Sequence, residues 1–148
     1  MERFIYYSKP EVESPDFLKL PKTLIYGRRY SSLISSAKLA YVVLRDRLEW
    51  SVRNGCYDEN GNVFCIYTNV DLAETLRITA TGTVAAIKHS LSDVGLLYQV
   101  RVGQNMPNHL YIGQPVDHFN DVATIENKLK SNATEFMPLD DSARGWIQ

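Results

Sequence analysis

Between Thr68 and Gly95 two apolar stripes with helical spacing stand almost end to end, and no other feature limits the possible folds as much. The first, NVDLAETL, offers Val70, Leu72, Ala73 and Leu76 for burial. Thr68 and Asp71 give it a T-x-x-D start, a weaker relative of the capping box, and the pattern can hardly pass Arg77. The second stripe has Thr79 as its predicted N-cap and places Val84, Ile87, Leu91 and Val94 at steps of three, four and three. Gly95 follows, the residue type that ends helices. Two helices joined by so short a connection must be set at an angle, as in a helix-turn-helix.

The flanking segments complete the pattern. Upstream, the Pro-interrupted lead-in FLKLPKTLIYGRRY is followed by Ser35 and Ser36, a serine N-cap for the helix AKLAYVVLRDRLEWSVRN. Ala37, Tyr41, Leu44 and Leu48 form its buried stripe, while Lys38, Arg45, Glu49 and Arg53 share the wet face. Next, CYDENGNVFCIYT carries Asn-Gly between aromatic and β-branched residues, which predicts a turn at Asp58 to Gly61 and a strand from Val63 to Tyr67. Downstream, LLYQVRV and HLYIG read as two strands joined by GQNMPN.

The order is helix, strand, helix, helix, strand, strand. It defines an α+β winged helix-turn-helix, a three-helix core with a β-hairpin wing, here with an acidic C-terminal extension. The boundaries fall at an N-terminal arm, 1–16; the winged-helix domain, 17–112; and a linker or tail, 113–148. In the arm, RFIYY reads as an edge strand or docked arm, or else as a dimer-forming strand. The tail has few aliphatics and one weakly helical piece, HFNDVATIENKLK, and Phe119, Phe136, Met137 and Trp146 could dock it back on the domain.

Charge cuts two ways. The 148-residue chain holds 16 Lys and Arg against 17 Asp and Glu, a balance that argues weakly against a nucleic-acid binder. Residues 17–53, however, hold eight basic side chains and two acidic ones, an excess of six. That segment is either a polyanion-facing surface or a solvated helix face. No run approaches the roughly 18 apolar residues of a membrane span, and MERFIYYSKP is too short for a signal peptide, so a cytoplasmic protein without membrane contact is expected. Cys56 and Cys65 then read as reduced thiols, and without a CxxC they make no zinc site; Asn-Ala-Thr at Asn132 is an idle glycosylation match.

No enzyme is visible. His89, His109 and His118 are too scattered for a His-x-His metal motif, there is no G-x-x-x-x-G-K-S/T loop, and the paired carboxylates lie in a turn (Asp58, Glu59) and a tail (Asp140, Asp141). No catalytic residue, metal or cofactor is assigned.

In a winged helix the last helix lies in the major groove, and its N-terminal residues meet base edges. The candidate DNA contacts on that helix are Thr79, Thr81, Gly82, Thr83, Ala86, Lys88 and His89. Those in the wing are Arg101, Gln104, Asn105, Asn108 and His109, with Arg28, Arg29, Lys38 and Arg77 as basic support. Backbone N–H groups at the helix start can hold a phosphate, glycine permits close approach, and threonine can reach a base edge or a thymine methyl. The same small residues would equally suit a solvated or packing face.

FLKLPKTLI, LISSAKLAYVVLRDRLEWSVRNGCYDENGNVFCIYT and LSDVGLLYQVRVGQNMPNHLYI together resemble the N-terminal domain of RepA-type plasmid replication initiators of Gram-positive bacteria, over about residues 17–112. The Asp-Glu-Asn-Gly turn and the Pro-Asn-x-x-Tyr wing strand are the most specific pieces. The resemblance implies a domain that binds repeated origin sites in double-stranded DNA as a homodimer and helps load host replication proteins. That loading would involve a C-terminal region with no counterpart in these residues. Two departures stand out. The family's reader helix usually has lysines where this chain has Thr81, Gly82, Thr83 and Ala86, and its wing commonly reads Lys-Pro-Asn-Arg where this one has Met106, Pro107, Asn108 and His109. Lost charge keeps a second reading open, a winged-helix protein-interaction or transcription-regulator module with little DNA affinity of its own.

Overall fold

The computed structural model describes residues 3–13, 16–116 and 127–132. Two short helices come first, α1 (Lys9–Val12) and α2 (Lys22–Tyr26), then a 3-10 turn at Arg28–Tyr30. The body of the domain is α3 (Ser35–Arg53), α4 (Asn69–Leu76), α5 (Thr81–Asp93), β1 (Leu97–Val100) and β2 (His109–Ile112). This is the winged helix expected from the sequence.

The helices pack because their apolar stripes coincide. Ala37, Ala40, Tyr41 and Leu44 of α3 meet Leu72 and Ala73 of α4 and Val84, Ile87 and Leu91 of α5 in one core, closed by Leu24, Tyr30 and Leu33 from the lead-in and by Leu96, Leu97 and Leu110 from the wing. Each fully buried leucine contributes about 1.5–3 kcal/mol relative to exposure. Two sequence expectations shift. The α3 N-cap is Ile34, without a side-chain cap, because Ser35 already has helical backbone. Val70 is exposed, since it lies on the outer side of the first turn of α4.

The expected boundaries of α4 hold for the expected reason. The Thr68 hydroxyl accepts from the Asp71 amide at 3.1 Å. Arg77 ends the helix in left-handed geometry (φ 58°, ψ 41°). Helix α5 ends in a Schellman motif: the Leu96 amide returns to the Leu91 carbonyl at 2.9 Å and the Gly95 amide to Ser92 at 3.1 Å, with Gly95 at φ 76°.

Strands β1 and β2 pair antiparallel, with Leu97 opposite Ile112 and Val100 opposite His109. The strand expected at Val63 to Tyr67 is reduced to two isolated bridges, Val63 with Tyr57 and Cys65 with Leu110. Cys65 exchanges both backbone bonds with Leu110, at 2.9 and 2.8 Å, and on the opposite edge the Phe64 amide bonds the Cys56 carbonyl of the preceding hairpin at 3.2 Å. That hairpin turns where expected, with the Gly61 amide on the Asp58 carbonyl at 3.0 Å.

The domain does not stop at Ile112. The Gly113 amide bonds the Leu96 carbonyl at 2.9 Å, the Tyr41 hydroxyl donates to the Gly113 carbonyl at 2.8 Å, and the Val116 amide donates to the Tyr30 hydroxyl at 2.8 Å. A Cβ on Gly113 would stand 2.3 Å from the Gly95 carbonyl oxygen, so only glycine fits this crossing. Residues 127–132 are helical, and the four aromatic or apolar tail residues considered for docking lie outside the described residues. In the arm, Phe4 to Tyr7 form no strand and are between 71% and 82% exposed, so the edge-strand and docked-arm readings do not hold. Among the described residues no helix is long and apolar enough to cross a membrane.

Candidate nucleic-acid interface

The turn from α4 into α5 sets the candidate surface. The Ile78 amide bonds back to the Ala73 carbonyl at 2.8 Å, which closes the end of α4 and requires the left-handed Arg77. Ala80 (φ −105°, ψ 118°) is the last extended residue, and the first bond of α5 runs from the Thr83 amide to the Ala80 carbonyl at 3.1 Å. Ala80, and not Thr79, is therefore the N-cap, and no side chain caps the helix. The Thr81 and Gly82 amides open toward the helix start without intrahelical acceptors.

From this start, Thr81, Gly82, Thr83, Ala85, Ala86 and His89 are all exposed, while Val84, Ile87 and Leu91 face the core. Around the position of a Gly82 Cβ nothing lies within 4 Å. The fold itself thus gives no reason for glycine there. His89 lies two turns on, with its Nε2 3.6 Å from Asp93.

Lys88 departs from expectation. It is 4% exposed, and its Nζ donates to the Tyr67 carbonyl at 2.8 Å. Position 88 follows Ile87 on the buried side, so the side chain runs inward rather than toward a groove. Burial lowers its pKa from the ordinary lysine value.

The wing presents Arg101, Gln104, Asn105 and Asn108, all exposed. Asn105 takes φ 61° in a turn closed by the Met106 amide on the Gly103 carbonyl at 3.4 Å. His109 is half-buried and stacked on Phe64, with ring centroids 3.8 Å apart and planes at 6°. It packs the wing and is not offered as a free contact.

The basic support divides. Arg77 and Arg101 are exposed and have no side-chain partner among the described residues. Arg29 donates from Nη2 to the Val94 carbonyl at 3.4 Å, at the C-terminal end of α5, the end away from the reading residues. A cation suits that end of the helix dipole. Arg28 is exposed in the same 3-10 turn, and Lys38 is half-buried in the first turn of α3. The +6 segment is partly consumed within α3. Glu49 pairs with Lys19 at 2.9 Å and Arg45 at 3.6 Å, the Arg53 Nε donates to the Glu49 carbonyl, and Arg47 lies 4.2 Å over the Trp50 ring. Those charges make a solvated helix face. The pair with Lys19 holds the Glu49 carboxyl below its usual pKa.

The geometry thus unites an open helix start, a flanking wing and two unpaired arginines on a chain with no comparable charge on the reader itself. Residues 16–125 match the family described as Replication initiator protein A (RepA) N-terminus. This chain belongs to that family. A 41 kDa protein of Lactobacillus helveticus is 33% identical over 115 residues, 74% of this chain but 32% of the relative. The chain thus spans about a third of the length of that curated relative. Three solved structures also resemble it. A Rep–DNA complex matches with TM-score 0.70 and 35% identity, covering 86% of this chain and 97% of that one. The N-terminal domain of a DNA-binding protein gives 0.70 and 34%, covering 87% and 98%. An MDR initiator gives 0.67 and 34%, covering 84% and 98%.

Sequence reasoning missed two features of this RepA domain. Lys88 shares the helical period of the apolar residues, a signal that could have marked it as inward. Asn69 and Gln99, which with Lys88 line one pocket, carry no sequence signature because they meet only through the fold.

Proposed function

We propose that this RepA N-terminal domain is the sequence-reading part of a replication initiator. It binds double-stranded DNA at repeated sites in the origin of a plasmid or mobile element and marks them for host replication proteins, with no catalytic step of its own. The observation that carries this reading is the uncapped start of α5, where Thr81, Gly82 and Thr83 stand exposed and the space around Gly82 is open. Family membership and the similarity to a Rep–DNA complex support it. Binding as a homodimer places two readers about one helical turn apart, roughly 34 Å, on repeated or inverted half-sites. The site of action is the cytoplasm, and host proteins are engaged through segments beyond the winged helix.

Fluorescence anisotropy of the purified chain against duplexes tiling its own gene and flanks, with scrambled controls and a salt series, tests this. Site-selective binding with a shallow salt slope is expected. Equal binding to scrambled duplexes, or none at low salt, overturns the proposal in favour of a protein-interaction module.

A further inference from the structure

Between α4, α5 and the wing lies a pocket of about 310 Å³, lined by two of the candidate contacts, Lys88 and Asn108. Three separate pieces of the fold wall it: the start of α4, the descending side of the wing loop with Asn108, and Gln99 of β1. Lys88 also lines it.

An ammonium carries three N–H donors. That of Lys88 is buried, and its single acceptor is the neutral Tyr67 carbonyl. Among the described residues no carboxylate pairs with it. Asp71, the nearby acid in the first turn of α4, borders a different pocket with Arg47. Buried charges are ordinarily paired, and this one lines an opening instead. The start of α4 adds donors. Thr68 satisfies the amides of Asp71 and Leu72, whereas Asn69 and Val70, the first two residues of this eight-residue helix, have no intrahelical acceptor. A helix start and a lysine that line one opening attract an anion, and the charge of Lys88 makes the attraction strong.

We infer that this pocket takes a phosphate of the duplex backbone, with Lys88 as its counter-charge and the Asn69 and Val70 amides and the Asn108 side chain as further donors. The inference rests on the DNA-binding reading above. It gives a domain with a neutral reader a grip beside the groove rather than in it.

The test uses the whole chain. Inorganic phosphate is titrated into ¹⁵N-labelled protein and followed by amide shifts, which needs no duplex. Saturable shifts at Asn69, Val70 and Asn108 are expected, and they should vanish in Lys88→Met, which keeps an unbranched stem. Asn108→Asp, at an exposed position that leaves packing intact, should abolish them as well by placing a carboxylate at the opening. Shifts that are absent from these residues, or that persist in both variants, overturn the site. With a bound duplex, Lys88→Met should lower the log–log salt slope by about 0.9. An unchanged slope with the same loss of affinity at every salt concentration would instead show that Lys88 only holds α5 to Tyr67, and would overturn the phosphate assignment. Phosphate shifts without selective duplex binding would refute the DNA reading and leave the anion site standing.

Discussion

Arg77→Gly should make the domain more stable and a poorer DNA binder. Arg77 sits at φ 58°, ψ 41°, where a left-handed backbone costs an L-residue roughly 1–2 kcal/mol. Glycine adopts this geometry freely but loses about 0.5–1 kcal/mol more backbone entropy on folding. The difference leaves about 0.5–1 kcal/mol of added stability. For a domain of about 100 residues that raises Tm by about 2–8 °C, read by circular dichroism.

Binding should move the other way. The Arg77 guanidinium is exposed without a partner among the described residues, and the start of α5 follows it within four residues. If it holds one phosphate, its loss lowers the salt slope by about 0.9, so a fourfold rise in salt weakens the wild type about 3.5-fold more than the variant. Strain retained at a position where glycine would be easier is what a functional constraint produces. A variant with lower Tm, or with unaltered affinity and salt slope, would refute the reasoning, because the backbone cost would then have no return.

Three further outcomes are expected. Gly113→Ala drives a Cβ into the Gly95 carbonyl oxygen at 2.3 Å and disturbs two hydrogen bonds, which should cost about 2–4 kcal/mol, measured by urea denaturation. Ser51→Ala should stabilise by about 1 kcal/mol in the same assay, since the buried Ser51 hydroxyl has no hydrogen-bond partner among the described residues and alanine is the better helix former. Asp58 accepts from the Asn60 and Asn62 amides at 2.9 and 2.8 Å and from the Tyr111 hydroxyl at 3.0 Å; the Asn62 amide is the main cause of its lowered pKa. A carboxyl with a depressed folded pKa stabilises above its unfolded value and loses that effect as pH falls through the folded one. Asp58→Ala should therefore melt lower than wild type at pH 7, with the gap closing below the ordinary carboxyl range.

The fold was legible because its signals are local. The end of α4 at Arg77, the glycine end of α5 and the Asp58 to Gly61 turn each depend on a few adjacent residues, and each appears where the pattern put it. Some misses were local, as at the two N-caps, where Ile34 and Ala80 stand in place of the serine and Thr79; the larger ones were non-local. The Val63 to Tyr67 strand is only two isolated bridges, one to Tyr57 and one to the wing at Leu110, and residues 113–116 joined the domain through Tyr41 and Tyr30, far upstream. The site was legible as a helix face and illegible as a charge map. Residue type alone shows neither that Glu49 consumes two cations nor that Arg29 serves the far end of α5.

That charge map bears on how a reader with no exposed lysine works. A phosphate contact fixes register without reading sequence, while base edges are read by short side chains close to the helix start. In this domain two arginines without a side-chain partner among the described residues flank the reader, Arg77 before it and Arg101 in the wing, while Thr81 to Thr83 are small and neutral. Such a division leaves the start of α5 free to approach the groove floor without a long charged side chain in between. Nonspecific affinity should then be low, because few phosphates are neutralised, and specific sites should stand out by a larger ratio than tight overall binding would allow. Adding charge to the face, as in Ala86→Lys, should raise affinity for every duplex and narrow that ratio. A variant that gained affinity for the cognate site alone would mean that the neutral face is not what sets specificity.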